Sequence, residues 1–299
     1  MEYLAVLIVV STAFVISAWG VDVVASVPSL PIQTWAKTAI NWLNANLEGL
    51  FDTIAAGISI MLGGFEFIFV MLPATFVATL ITGVAYLSGG WRVALFVLLA
   101  QVFVASMGFF DPMMVTLSLV ATATSVALIL GIPLGILKAH SLAATQILDP
   151  ILDFMQTMPL FVYLIPVVLF FSIGNIPGII ATFIFAMPPA VRLTALGIEQ
   201  IPHGLLEAGH AFGATPSQFL TKVELPLALP SIMAGVNQTI MLALSMVVIA
   251  SMVGAEGLGL EVYNAITRLK VGQGIASGIG IVLLAMILDR ITRAAGKRS

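Results

Sequence analysis

The chain has 299 residues, 60% of them hydrophobic and 8% charged, with a mean hydropathy of +1.15. Soluble domains carry about 25% charged residues, so 11 basic and 14 acidic side chains are too few to solvate this one, and disordered chains lack such apolar content. The net charge of −3 gives no electrostatic footprint for nucleic acid, and the absence of cysteine excludes disulfides and thiolate chemistry. An integral membrane protein remains.

A helix crosses the hydrocarbon core with roughly 20 apolar residues. Charge-free stretches of that order occur at 3–21, 67–91, 93–110, 112–137, 154–191, 225–255 and 271–288. The 154–191 stretch has room for two spans, divided at Gly174-Asn175-Ile176-Pro177-Gly178, a turn sequence. Eight transmembrane helices are therefore predicted, in an all-α polytopic bundle.

Residues 3–21 read as a retained helix, because Met1-Glu2-Tyr3 lacks the positive start of a signal peptide. Between 33 and 69, Leu47, Leu50, Phe51, Ile54, Ile58, Met61, Leu62, Phe65 and Phe69 recur at helical spacing, with Glu48, Asp52 and Ser59 largely opposite. That pattern predicts an external amphipathic helix lying in the membrane interface, with Trp35 and Trp42 as anchors. The alternative is a crossing by 53–72, which would reverse the side of the N-terminus. Residues 1–70 thus form an N-terminal region, and 71–299 the main membrane domain.

Lys and Arg set orientation. With the tail Arg290, Arg293, Lys297 and Arg298 inside, Arg92, Lys138, Arg192 and Lys222 fall on the same side. Only Lys37, Arg268 and Lys270 lie outside, and both termini are cytoplasmic.

Ion-driven transporters place ionisable groups inside the bilayer, and the spans here are nearly free of them. A phosphate loop and an HExxH motif are both missing. Two options follow: a passive pore, or a translocator powered by another subunit. The polar residues near span interiors are Gln156, Thr157, Asn237, Gln238, Thr239 and Ser245. They serve either interhelical hydrogen bonding or a polar translocation path.

The longest inside loop, 198–226 with its flanks, carries the most specific pattern. Pro202 suits a first helical position and Gly213 the residue past a helix end, outlining a helix of about ten residues. Thr215 then caps a second helix with Pro216 at its first position and Gln218 completing a capping box. Val223-Glu224-Leu225-Pro226 is expected to end that helix before the next span. Leu205, Leu206, Ala208, Gly209 and Phe212 offer small and apolar surface. Either this knob docks in a partner groove, or it lies on the membrane.

Glu207, Ala208, Gly209, Gly213, Val223, Leu225 and Pro226 resemble the E-A-A-x-x-x-G…I-x-L-P loop of ABC-importer permeases, with Gly209 in place of Ala and Val223 in place of Ile. The segments Met155–Pro166, Met187–Thr194 and Gly235–Met246 further resemble permease subunits of glycine betaine/proline betaine importers. The glycine-rich turn 254–259 is similar too, with Glu256 where a small residue is commoner. This resemblance implies a type I ABC-importer permease fold in a bacterial inner membrane. It implies a homodimer, two cytoplasmic ATPase subunits docked on the loop, and an external substrate-binding protein. The chain itself would then be no enzyme and hold no cofactor or metal, ATP and magnesium being bound by the ATPase. Gln156, Thr157, Tyr163, Asn237, Gln238, Thr239 and Ser245 are the candidate path residues. No Trp/Tyr cage for a quaternary ammonium is visible in the matched core, which suits selection by the separate binding protein.

Overall fold

A computed structural model of the protein describes residues 31–202, 204, 205, 207 and 213–296. The predicted span 3–21 lies outside the described residues, and those residues contain no strand. The helices are α1 (Ile32–Glu66), which a π-turn at Phe67–Met71 extends, α2 (Ala74–Gly89), α3 (Trp91–Ser106) and α4 (Phe110–His140). They continue with α5 (Leu142–Thr157), α6 (Leu160–Phe171), α7 (Asn175–Glu199) and α8 (Pro216–Ser245), then α9 (Val247–Ser251), α10 (Leu258–Thr267) and α11 (Val271–Gly296).

Two compact units divide the chain, 1–48 and 49–299. In the first, α1 carries exposed Trp35 and Trp42, and its helical geometry breaks at Leu47 (φ −119°, ψ 15°). In the second, Ile58 and Leu62 of α1 are buried with Leu119, Val167 and Ile179, and Phe51 stacks on Phe170 at 4.4 Å between ring centroids. Leu50 and Ile54 remain exposed. By length and composition the stretch Ile32–Met71 suffices to cross a membrane, the alternative left open for 53–72.

Five helices among the described residues are long and apolar enough to span, and a bent pair makes a sixth. In that pair the last turn of α5 and the whole of α6 occupy the first half of the predicted 154–191 stretch, and the two helices meet at 101°. Pro159 accounts for the bend: it forces Met158 into extended backbone (ψ 131°) and starts the next helix. α2 and α3 are apolar but 16 residues each, about 24 Å, shorter than the eight-span count assumed. The predicted turn at Gly174–Gly178 is displaced. The chain reverses at Ser172 (φ 63°) and Gly174 (φ 148°), and Asn175, Ile176 and Pro177 already form the first turn of α7. Proline is tolerated there because the first-turn N–H groups have no helical acceptor.

The core is the packing of α4, α7 and α8. Between α4 and α7 the backbones approach at Gly131 and Gly135, where Cβ atoms would stand 2.9 Å from Ala190 Cβ and 2.6 Å from the Val191 carbonyl oxygen. This is a small-xxx-small seam, which lets membrane helices touch by dispersion contacts where no hydrophobic drive exists. Gly197 fits against Ser231 and Ala228 of α8 in the same way. Gly135→Val is expected to cost about 1–3 kcal/mol by overpacking, read as a lower Tm of the detergent-solubilised protein. An unchanged Tm would mean that α4 and α7 do not meet along this seam.

Candidate coupling region and polar interior

The loop region begins where α7 ends at Glu199. Leu205 donates its N–H to the Pro202 carbonyl at 2.9 Å; residues 204, 205 and 207 are helical, and Glu207 is exposed. Ala208 and Gly209, with His203, Leu206, His210 and Phe212, lie outside the described residues. Gly213 adopts φ 73°, the left-handed conformation in which a Cβ is penalised. The capping box forms as the residues predict: Gln218 N–H donates to Thr215 Oγ1 at 3.4 Å, and Thr215 N–H donates to Gln218 Oε1 at 3.1 Å.

The expected stop at Val223–Pro226 does not occur. The capped helix continues through a π-turn at Leu220–Glu224 into the long body of α8. Pro226 lacks an N–H, and its ring would crowd the carbonyl four residues back. Widening the preceding turn, with Leu225 N–H donating to Leu220 O, relieves that crowding without breaking the rod. Val223 and Leu225 are half-buried and Pro226 is exposed.

Glu224, 6% exposed, sits on this π-turn. His140, at the end of α4, places Nε2 3.0 and 3.2 Å from its two carboxylate oxygens, with Nδ1 2.8 Å from the Ile136 carbonyl. Both ring nitrogens therefore face acceptors, an arrangement that an imidazolium, with an N–H on each, satisfies. Beside the pair opens a cavity of about 1000 Å3, lined by Pro133, Ile136 and His140 of α4 and by Pro216, Phe219 and Glu224 of α8. Two further ion pairs tie α5 to this end of the bundle: Lys138 with Asp149 at 2.6 Å, and Arg192 with Asp153 at 2.5 Å. In the sequence Glu224 is only a position inside the Val223–Pro226 pattern, and nothing in that spacing points to His140 as its partner. A solitary acid at the start of a span, with a histidine at the end of another, was the available signal.

The seven candidate path residues separate into three groups. Asn237 straps α8 to α11, donating through Nδ2 to Asp289 Oδ1 at 3.2 Å and accepting from Thr292 Oγ1 at 2.9 Å. Thr239 and Tyr163 are buried, and their hydroxyls have no partner among the described residues; Tyr163 packs with Leu164, Ala181 and Met246. Gln156, Thr157, Gln238 and Ser245 are exposed. The Thr157 hydroxyl donates to the Asp153 carbonyl and that of Ser245 to the Met241 carbonyl, both at 2.9 Å, each satisfied within its own helix. Gln238 and Ser245, seven residues apart, share one face of α8.

At the opposite end the glycine-rich turn is held by three bonds. Gly174 N–H donates to Val253 O, Glu256 N–H to Asn175 Oδ1, and Leu258 N–H to Thr116 Oγ1, at 2.8–2.9 Å. Gly254 and Gly257 have φ values of 94° and 92°. Glu256 projects from this knot into solvent.

The family model for the inner membrane component of binding-protein-dependent transport systems matches residues 131–299, which include the loop, α7, α8 and α11. The chain belongs to that family. This permease is 46% identical over 266 residues to OpuAB of Bacillus subtilis (strain 168), a glycine betaine transport system permease protein. The match spans 89% of this chain and 94% of that one. It is 45% identical over 270 residues to ProW of Escherichia coli (strain K12), a glycine betaine/proline betaine transport system permease protein, covering 90% and 76%. Among solved structures, the permease resembles a chain of the inward-facing MetNI methionine ABC transporter. The TM-score is 0.54 and the identity 25%, over 64% of this chain and 93% of that one. The helical bundle is that of a type I ABC-importer permease, and the protein is a multi-pass membrane component of such an importer.

Proposed function

We propose that the chain forms the translocation path of an ATP-driven importer for a betaine-type quaternary ammonium solute, with glycine betaine as the leading substrate. Two copies pair with two cytoplasmic ATPase subunits, which bind ATP and magnesium and carry out hydrolysis, and an external binding protein delivers the solute. The observation that carries this reading is the 46% identity to a glycine betaine permease across nearly the full length of both chains. The continuity of α8 supports the mechanism. Its capped start lies in the loop and its far end bears Gln238 and Ser245, so displacement of the loop moves the helix as one rod. The C-terminus and loop 198–226 face the cytoplasm on the basic-residue distribution.

Proteoliposomes holding the permease, its ATPase and its binding protein should accumulate radiolabelled glycine betaine only when ATP is present. Accumulation without the ATPase would sink the reading. Uptake of methionine in preference to any methylated amine would replace the solute but keep the machine.

A further inference from the structure

A second polar recess opens at the loop end of the bundle, away from the loop itself. It measures about 560 Å3 and lies between the α2–α3 turn (Ser88, Gly89, Val93) and the last turns of α11 (Asp289, Arg290, Arg293). Gly89 makes the close approach there, since a Cβ at that position would stand 3.2 Å from Ala294 Cβ. Arg290 and Arg293 line the recess, and Arg92 follows the turn at the start of α3.

Among the described residues the only acid lining it is Asp289, and its Oδ1 already accepts from Arg293 Nε at 2.6 Å and from Asn237 Nδ2 at 3.2 Å. Arg290 and Arg92 have no carboxylate partner among the described residues. Each guanidinium instead rests by an aromatic ring, Arg290 at 4.8 Å from the Phe96 centroid and Arg92 at 5.7 Å from that of Trp91. Cation–π contact steadies a positive charge without neutralising it. Two lining arginines against one committed aspartate leave the recess cationic, and Arg92 adds a third positive charge on the adjoining turn.

Its surroundings are apolar. Trp91 is 64% exposed, and Leu95, Val282 and Met286 are exposed on the neighbouring turns of α3 and α11. An exposed tryptophan at the end of membrane helices marks the level of lipid headgroups. A soluble anion would use the arginines and leave the apolar flank bare, whereas an amphiphile uses both.

We infer that this recess binds the headgroup of an anionic phospholipid, with the phosphate on Arg290 and Arg293, Arg92 flanking it on the adjoining turn, and the acyl chains along α3 and α11. The site is separate from the loop and from the exposed Gln238 and Ser245 of α8, adjoining that helix through the Asn237–Asp289 bond, and it does not depend on which solute is carried.

The test is native mass spectrometry of the intact importer, purified and equilibrated with equal amounts of phosphatidylglycerol and phosphatidylcholine. Wild type should retain phosphatidylglycerol selectively. Arg92→Gln and Arg290→Gln should each weaken that retention about fivefold, since a basic residue near the surface contributes roughly that much. Arg290→Lys, which keeps the charge and guards against misreading a folding defect, should retain most of it. Equal retention of the two lipids by wild type, or unchanged selectivity in both Gln variants, would overturn the inference. So would displacement of the bound lipid by millimolar inorganic phosphate, which would mark a free-anion site.

Discussion

Importers in which Glu207 is replaced by Ala and Gly213 by Val should still hydrolyse ATP while taking up solute at least about tenfold more slowly, a loss of about 1.4 kcal/mol in coupling. The expectation rests on how the loop joins the bundle. Gly213 sits at φ 73° immediately before the capped start of α8, and a β-branched residue there costs roughly 1–2 kcal/mol in the left-handed region. The chain would relax by changing the angle at which the loop enters the helix. Glu207 is exposed on the segment before it, so its removal leaves the bundle's packing alone and alters only what a docked subunit meets. From Pro216 to Ser245 the helix runs without a stop, so on the proposed mechanism the junction at Gly213 would be the soft point between motor and rod. The measurement is the ratio of solute taken up to ATP hydrolysed in proteoliposomes. A ratio equal to wild type would refute the role assigned to this loop.

What the sequence revealed and what it hid follow from the range of the forces involved. Charges are too costly to leave in hydrocarbon, so their positions marked span ends and the membrane class was legible from them. The capping box at Thr215 and Gln218 was legible because every partner lies within three residues. Proline misled twice for one reason. Pro177 and Pro226 both look like stops, but the first occupies a helix's opening turn and the second is absorbed by a π-turn; neither adjustment is encoded in the proline itself. The seam Gly131-Ile132-Pro133-Leu134-Gly135 was readable as a small-xxx-small motif, yet its partner on α7 was not. The polar residues of α8 show the limit most sharply. Asn237, Gln238 and Thr239 are consecutive, and they end respectively in an interhelical strap, on an exposed face and in the core. The facing helices decide among those fates, and α11 brings Asp289 to Asn237 across 52 positions of sequence.

The second large effect is expected at His140. Its side chain is the cation within ion-pair range of Glu224 among the described residues, and the Glu224 side chain is 7% exposed. His140→Ala would leave a buried carboxylate unpaired, which in a protein interior costs about 3–5 kcal/mol. Because the imidazole itself is 46% exposed, water can enter the space it vacates, and the low end, about 3 kcal/mol, is the expected loss. Glu224→Gln is a different change: it removes the charge but keeps the shape and an acceptor for the ring N–H, and should cost about 1 kcal/mol. The two substitutions share one interaction, so they cannot add. Once Glu224 is neutral, deleting His140 strands no charge, and the double variant should be more stable than His140→Ala alone. Thermal unfolding of the four proteins in detergent measures the cycle. Additive losses would show that the pair is an incidental contact. Rescue by Glu224→Gln would establish the pair as the clasp that holds the end of α4 against the π-turn, at the level where the loop joins the bundle.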